Sequence, residues 1–175
     1  MRHFSRIALG FAGAAVLVGS TVIPATADDT PVSANVSGYG LEIAVPETNS
    51  LAFGEVTPGQ SPTLGVSGVT VTDLRAGTTP WVASVNISGF TADGAQSVDG
   101  FALGYAPGLA TFTSGIGVAG VPTTVDPVPT TPANVQQPVS VLGNNTATWD
   151  ATVTLHVPGS ALEGSYGTTL THSVL

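Results

Sequence analysis

An alternation of apolar and polar residues near the C-terminus constrains the fold of this chain more than any other feature of its sequence. Residues 146–158 read TATWDATVTLHVP. The apolar positions are Trp149, Ala151, Val153, Leu155 and Val157, and the polar positions between them are Thr148, Asp150, Thr152, Thr154 and His156. Because successive side chains of a β-strand point to opposite faces, this pattern predicts a strand with one buried face and one face in solvent.

The same period of two residues recurs along the chain, whereas a helical period is missing after residue 27. No window of eleven or more residues there keeps apolar side chains three and four residues apart without an interrupting Gly or Pro. Three further strands are predicted, at 39–45, 81–87 and 166–174. Their apolar faces comprise Tyr39, Leu41, Ile43 and Val45; Trp81, Ala83, Val85 and Ile87; and Tyr166, Thr168, Leu170 and Val174. Shorter candidate strands lie at 51–56, 63–66, 69–74, 99–105 and 110–113.

Turn signals separate these candidate strands. Examples are Pro58-Gly59, Asp93-Gly94, Asp99-Gly100 and Pro158-Gly159, which supply the fixed φ of proline and the positive φ that glycine tolerates. Many short strands punctuated in this way, each with one apolar face to hide, predict an all-β fold. We expect a two-sheet antiparallel β-sandwich of the immunoglobulin-like kind.

One long segment interrupts the alternation. Residues 115–145 contain five prolines, at positions 122, 127, 129, 132 and 138. Proline cannot donate to a β-ladder, so the sequence predicts a long surface excursion here, with at most a short strand near 135–142. Loops of that length are typically functional or disordered, and the sequence leaves both alternatives open.

The N-terminus has the organisation of a secretion signal. Residues 1–6 are basic, residues 7–18 are apolar and small, and Ala25-Thr26-Ala27 offers small residues at a cleavage site. The apolar run is shorter than the roughly 20 residues of a membrane span. We therefore expect residues 1–27 to be removed, which leaves a single extracellular domain at 28–175.

The charge of residues 28–175 excludes several partners. They contain one positively charged side chain, Arg75, against eleven acidic ones, for a net charge of −10 with His neutral. Nucleic acids and anionic lipids need several Lys or Arg residues, so neither is an expected partner. An acidic surface instead favours solubility and attracts cations.

Cysteine is absent from the chain. This excludes disulfides, thiol catalysis and a lipid-modified cysteine at the cleavage site. The C-terminal residues GSYGTTLTHSVL carry neither a hydrophobic tail nor a sorting motif. Any retention at a cell surface is therefore expected to be non-covalent.

No catalytic signature is found, and we expect a protein without enzymatic activity, metal or cofactor. The chain has no G-x-S-x-G, no H-E-x-x-H and no phosphate-binding glycine loop. Strand parity places His156 on the polar face of its strand and His172 on the apolar face of another, which argues against a shared metal site or a triad. The acidic residues are scattered, which disfavours a glycosidase that needs two carboxylates in one cleft.

Two weaker patterns suggest a binding module. Asp93 and Asp99 lie six residues apart in TADGAQSVDG, where they form either a weak calcium site or simply two turns. Threonines along 148–154 and 168–171 could form a flat polar platform for a polysaccharide, although threonine is also a common strand residue. Trp81 and Trp149 fall on apolar faces, so core packing is preferred over ligand stacking for both.

Two stretches together resemble a known family. VTVTDLRAGTTPWVASVNISGF, at 69–90, and ATVTLHVPGSALEGSYGTTLTHSVL, at 151–175, resemble the WxL-domain surface proteins of Gram-positive bacteria. That family has a β-rich domain with a Trp-x-Leu motif after a V-x-D-x-R stretch and a second such motif near the end of the chain. The resemblance implies non-covalent attachment to the cell wall, with peptidoglycan or other surface proteins as partners.

This chain departs from the family at both motifs. Trp81 is followed by Val82 and Ala83, so the leucine is missing, and His172 stands where the family has its second tryptophan. Trp149 lies on the preceding strand, and Tyr166 stands in the final Y-x-x-x-L-T stretch. The resemblance implies a structural or wall-binding role for Trp81, Trp149, Tyr166 and His172.

The function expected from the sequence is that of a secreted, non-enzymatic protein of the cell surface. It would act as a structural or adhesive module that is bound to the wall without a covalent anchor. The alternative is a secreted carbohydrate-binding or calcium-binding module.

Overall fold

The computed structural model describes residues 39–46, 51–94 and 96–175. The predicted signal peptide at 1–27 lies outside the described residues. These residues belong to one compact unit and contain only β-strands and irregular segments. The strands are β1 (Leu41–Ala44), β2 (Thr63–Asp73), β3 (Ala83–Ile87), β4 (Thr91–Ala92), β5 (Ala102–Pro107), β6 (Thr111–Val118), β7 (Ala133–Gln136), β8 (Ser140–His156), β9 (Tyr166–Gly167) and β10 (Leu170–Val174).

The 17-residue strand β8 organises the larger sheet. Strand β2 pairs with one side of β8, and β1 extends the sheet beyond β2. On its other side, β8 pairs with β6 along residues 140–148 and with β5 along residues 151–156. All of these pairings are antiparallel, so one long alternating segment serves as the template for three neighbours.

A three-stranded sheet, in the order β10-β3-β7, supplies the other wall of the core, and β4 pairs separately with β9. The described part of the chain is thus an all-β, sandwich-like fold with antiparallel sheets, as predicted. Its core combines alternate residues of β2, β3, β5 and β8. Among them, Val69, Val71, Ala83, Val85, Tyr105, Ala147 and Val153 are completely buried.

The two clearest predicted strands are confirmed. Trp149, Ala151 and Val153 are buried, while Asp150 and Thr152 on the opposite face are exposed. Trp81 and every second residue to Ile87 are buried as well, although the strand itself begins at Ala83. Period-two alternation therefore identified the core faces of β3 and β8.

Candidate strands 63–66 and 69–74 are a single strand, β2. The register with β8 shifts between Val66 and Val69, and Gly68 has a φ of +71°. A β-bulge of this kind inserts an extra residue, so the inward positions change from even numbers to odd numbers along the strand. The change of parity made one strand resemble two.

The prediction of a strand at 166–174 is wrong in its continuity. Residues 166–167 form β9, which pairs with β4, whereas residues 170–174 form β10, which pairs with β3. The two strands belong to different sheets, and the intervening residues are irregular. The predicted strand is broken because its two parts pair with different strands, β4 and β3, which lie far away in the sequence.

Two predictions near the first strand are also wrong. Residues 51–56 form no strand, although Leu51 and Phe53 pack against the core. Tyr39 is 84% exposed instead of sharing the apolar face of β1. Gly40, whose φ is +124°, separates Tyr39 from the strand and breaks the alternation there.

The proline-rich excursion is shorter than predicted. Strand β6 continues to Val118, and β7 and the beginning of β8 lie within the predicted 115–145 segment. The irregular part spans residues 119–132, and the backbone of Val125 pairs with that of Tyr105. The short strand predicted near 135–142 overlaps β7 and the first residues of β8.

Candidate functional site

The two tryptophans lie side by side in the core. Trp81 is 1% exposed and Trp149 is 3% exposed. Their ring centroids are 6.2 Å apart, with an angle of 16° between the ring planes. The preference for core packing over ligand stacking is confirmed for both residues, because neither ring presents a face to solvent.

A hydrogen-bonded chain continues from Trp149 to His172. The Nε1–H group of Trp149 donates to the hydroxyl oxygen of Tyr105, at 3.2 Å. That hydroxyl lies 3.2 Å from Nε2 of His172, and the two rings meet edge to face. Burial lowers the pKa of His172 to about 4, so at neutral pH its uncharged Nε2 accepts the proton of Tyr105. Burial also raises the pKa of Tyr105 to about 12, which keeps the phenol protonated.

At the opposite end of the tryptophan pair, Trp81 contacts a polar cluster. Its Nε1–H group donates to Oδ1 of Asn145, at 3.2 Å. Asn145 lies directly across from Asp73 in the β2–β8 ladder. Asp73 is buried, and the Nε and Nη2 atoms of Arg75 donate to its two carboxylate oxygens at 2.9 and 3.0 Å.

The pKa of Asp73 reflects this arrangement. Burial alone would raise the pKa of this carboxyl, but hydrogen bonds from the side chain and backbone of Arg75, together with its charge, hold the pKa below the usual value. Arg75 also donates to the carbonyl of Thr79, at 3.1 Å. The segment from Asp73 to Trp81 is thereby closed into a compact loop over the edge of the core.

Three of the four residues singled out from the sequence therefore belong to one continuous structure. Tyr105 links Trp149 to His172 by hydrogen bonds, and Asn145 is hydrogen-bonded to Trp81 at the other end of the tryptophan pair. Tyr166 lies elsewhere: its ring stacks on Phe101, with centroids 4.2 Å apart, and its hydroxyl donates to the carbonyl of Leu162. Sequence reasoning did not find Tyr105 or Asn145, because only pairing across the sheets brings them to the tryptophans.

The outer face of the larger sheet carries a ladder of threonines. Directly opposed cross-strand pairs are Thr63 and Thr154, Thr70 and Thr148, and Thr72 and Thr146. The hydroxyl oxygens of Thr70 and Thr148 are 3.4 Å apart. The predicted polar platform thus exists along 148–154, but residues 168–171 cannot extend it because β10 belongs to the other sheet.

At one end of the ladder the outer face becomes apolar. Ile116 on β6 lies opposite Leu142 on β8, and Val118 lies opposite Ser140. The three aliphatic side chains are exposed by 64%, 57% and 55%, in the order Ile116, Leu142 and Val118. Solvent-exposed aliphatic side chains that cluster in this way are typical of surfaces that contact other molecules.

At the other end of the ladder lies a row that the sequence analysis did not anticipate. Nδ1 of His156 is 3.2 Å from Oγ of Ser61, and Nε2 is 2.9 and 3.1 Å from the carboxylate oxygens of Asp126. His156 does lie on the polar face and His172 on the core side, as parity predicted. Ser61 and Asp126 lie 95 and 30 residues away from His156 in the sequence, so local sequence patterns do not reveal this row.

The acidic loop gives no indication of a calcium site. Asp93 and Asp99 are both exposed, and the backbone N–H group of Asp99 donates to Oγ of Ser97 in a local turn. Nowhere within residues 39–46, 51–94 and 96–175 do three His, Cys, Asp or Glu side chains come together to hold a metal ion.

A cavity of about 340 Å³ opens between the two sheets beside His172. Its lining combines Ile43 and Val45, Leu51, Val66 of β2, and Leu170, Thr171 and His172 of β10. The cavity therefore lies at the end of the aromatic chain, where the small sheet meets β1 and β2.

In the part of the chain that the structure describes, no helix is long and apolar enough to cross a membrane. Comparisons with protein-family models, with curated proteins and with solved structures found no significant match to this chain.

Proposed function

We propose that this chain is an exported module of the Gram-positive cell surface with an immunoglobulin-like, WxL-like sandwich fold. It is held at the wall non-covalently, and it acts there as a structural or adhesive protein. Peptidoglycan or other surface proteins are its partners in this proposal.

The observation that carries the proposal is the coupling between the two stretches that resemble the WxL family. Asp73, which is paired with Arg75 in the V-x-D-x-R part, and Trp81, from the first motif, both contact Asn145 on β8. Trp81 then stacks on Trp149, whose hydrogen bond through Tyr105 leads to His172 in the final strand. Sequence features of the family are thus joined by direct contacts, as expected if they specify one fold.

Because Trp81 and Trp149 are buried, contact with the wall has to be made by other side chains. The outer face of the larger sheet supports such a role. It offers a regular array of hydroxyl groups between Thr63 and Thr146 and an exposed aliphatic end at Ile116 and Leu142. Hydroxyl groups on a flat sheet suit hydrogen bonding to a polymer, and aliphatic groups add non-polar contact.

A sedimentation assay with purified cell walls tests the proposal. We expect residues 28–175 to pellet with the walls, and the double substitution Thr70→Glu/Thr148→Glu to release the protein into the supernatant. Thr130→Glu is a matched control, since Thr130 is exposed in the irregular 119–132 segment, away from the ladder. A wild-type protein that stays entirely in the supernatant over a range of salt and pH would contradict wall binding.

The threonine ladder also favours the carbohydrate-binding form of the second candidate, a secreted carbohydrate-binding or calcium-binding module. A ligand that binds only the folded state raises its stability. Thermal melting with wall-derived glycan fragments therefore separates the two candidates. A shift of the melting temperature with free fragments supports the carbohydrate-binding module, whereas pelleting with intact walls without such a shift supports the structural one.

A further inference from the structure

The row formed by Ser61, His156 and Asp126 has the connectivity of a nucleophile, a base and an orienting carboxylate. Backbone pairing on either side of Ser61 holds it directly across from His156. Val157 N–H donates to the carbonyl of Gln60, at 3.1 Å, and Leu155 N–H donates to the carbonyl of Pro62, at 3.0 Å. The strand register therefore places the two side chains next to each other, which brings Oγ of Ser61 to 3.2 Å from Nδ1 of His156.

Asp126 reaches His156 across a glycine. A Cβ atom at Gly104 of β5 would come within 2.9 Å of the Asp126 carboxylate, so any larger residue there would force this carboxylate to shift. Both carboxylate oxygens lie within 3.1 Å of Nε2 of His156. The carboxylate thus retains the proton on Nε2, which leaves Nδ1 free to accept the hydroxyl proton of Ser61. The nitrogen atoms exchange the roles that they have in the serine proteases, but the order of the groups is the same.

We propose that Ser61 is an activated nucleophile and that this row hydrolyses short-chain carboxylic esters. The inference goes beyond the proposed function, and it replaces the expectation that the chain has no enzymatic activity. Oγ of Ser61 forms a bond to the ester carbonyl carbon, and its proton moves to Nδ1 of His156. The carbon–oxygen bond to the alcohol breaks, and the alcohol leaves with that proton.

Water completes the reaction. It adds to the carbonyl carbon of the acyl-serine while His156 takes up one of its protons. The bond between that carbon and Oγ of Ser61 then breaks, and His156 returns the proton to Oγ. The carboxylic acid is then released. Asp126 is a positioning residue, because it touches His156 and not the reacting atoms.

The surroundings of the row indicate the class of substrate. The side chains of His156 and Asp126 are 35% and 44% exposed, and neither residue lines the 340 Å³ cavity. An open site of this kind has no enclosure for a long acyl chain, so we expect an acetyl group or one of similar size. The alcohol part is free to be large, since Thr63 and Thr154 extend the polar surface away from Ser61.

Labelling with a fluorophosphonate tests the nucleophile directly. We expect one adduct on residues 28–175, assigned to Ser61 by peptide mapping, and its loss in both Ser61→Ala and His156→Gln. Ser160→Ala, which alters another exposed serine, retains the adduct. Failure of the reagent to modify Ser61 in the folded protein overturns the proposal.

Hydrolysis of p-nitrophenyl acetate tests the activity. The rate is expected to fall by about 100-fold in Ser61→Ala, with unchanged circular dichroism because Ser61 is exposed. A rate that is the same in Ser61→Ala as in the wild type means catalysis by imidazole alone and refutes the role of the serine. For Asp126→Asn, ¹⁵N NMR should report loss of the Nε2–H tautomer of His156 alongside the loss of rate. Wall sedimentation is a separate measurement, so the two proposals fail independently.

Discussion

Trp81 and Trp149 stack in the core with their ring centroids 6.2 Å apart, and each ring donates its Nε1–H group to a different partner. Trp81 leads through Asn145 to the Asp73–Arg75 ion pair, while Trp149 leads through Tyr105 to His172. The pair therefore connects the edge of the larger sheet with the closing strand of the smaller one. Substitutions of the residues in this series of contacts test the stability of the whole fold.

Replacement of Trp81 by alanine should be among the most damaging single changes. The ring is 1% exposed, so its removal loses the stacking contact and leaves a large void. We expect the free energy of unfolding to fall by about 3–5 kcal/mol, as measured by urea denaturation. Val121→Ala, at a residue that is 89% exposed, is the control and should change stability by less than about 0.5 kcal/mol. A Trp81→Ala protein as stable as the wild type would contradict the burial of this ring.

Removal of the Tyr105 hydroxyl should separate hydrogen bonding from packing. In Tyr105→Phe, the ring is kept, but the Nε1–H group of Trp149 and Nε2 of His172 lose their shared partner. A buried polar group left without a partner costs about 1–3 kcal/mol, which thermal or urea unfolding would detect. Tyr39→Phe removes a hydroxyl from a residue that is 84% exposed and should have no effect. Equal stability of the two variants would mean that the Tyr105 hydroxyl is not the link between the two rings.

His172 should make the protein sensitive to mild acid. The unfolded chain binds the proton near pH 6.5, whereas the folded protein binds it only near pH 4. Acidification between these values therefore stabilises the unfolded state, and the loss reaches about 3 kcal/mol near pH 4. Urea unfolding at a series of pH values measures this loss. His172→Gln should lose stability less steeply between pH 6.5 and 4 than the wild type, and identical slopes would refute the assignment.

The ion pair of Asp73 and Arg75 predicts a change in the pH dependence of stability. In the wild type the pKa of Asp73 is lowered, so its contribution to stability is present above the unfolded pKa and is lost as the pH falls through the folded pKa. Arg75→Gln leaves a buried carboxylate without its cation, which we expect to cost about 3 kcal/mol at pH 7. Without the charge and the side-chain hydrogen bonds of Arg75, the pKa of Asp73 should be higher than in the wild type, so the stability lost in the variant should become smaller on mild acidification. Asp73→Asn/Arg75→Gln, which buries no charge, should be more stable at pH 7 than the single variant.

Gly104 should be essential for the contact between Asp126 and His156. A methyl group there would approach the carboxylate to 2.9 Å and displace Asp126. We expect Gly104→Ala to shift the ¹⁵N signals of His156 toward a mixture of tautomers. Gly65→Ala is a matched control, because a Cβ at Gly65 meets nothing within 4 Å. Unchanged His156 signals in Gly104→Ala would mean that Asp126 does not depend on this gap.

Local alternation predicted much of the core. The buried face of β8 follows from the sequence of the strand alone, because one exposed and one buried side produce a period of two whatever the partner strand is. In β3 the predicted apolar face is buried too, but Ser84 on the opposite face is also buried. Where pairing with distant residues mattered, local alternation was insufficient: it divided β2 at its bulge, joined β9 to β10, and assigned the end of β6 to the long loop.

The candidate sites show the same division between what local alternation predicts and what depends on pairing with distant residues. The sequence by itself determined that Trp81, Trp149 and His172 face the interior and that His156 faces solvent, since each side follows from parity along one strand. Only the tertiary structure decided which side chains meet, because a hydrogen bond depends on register between strands that local sequence does not encode. Tyr105 bridges Trp149 and His172, and Asp126 reaches His156 over Gly104, only because β8 aligns these segments against one another.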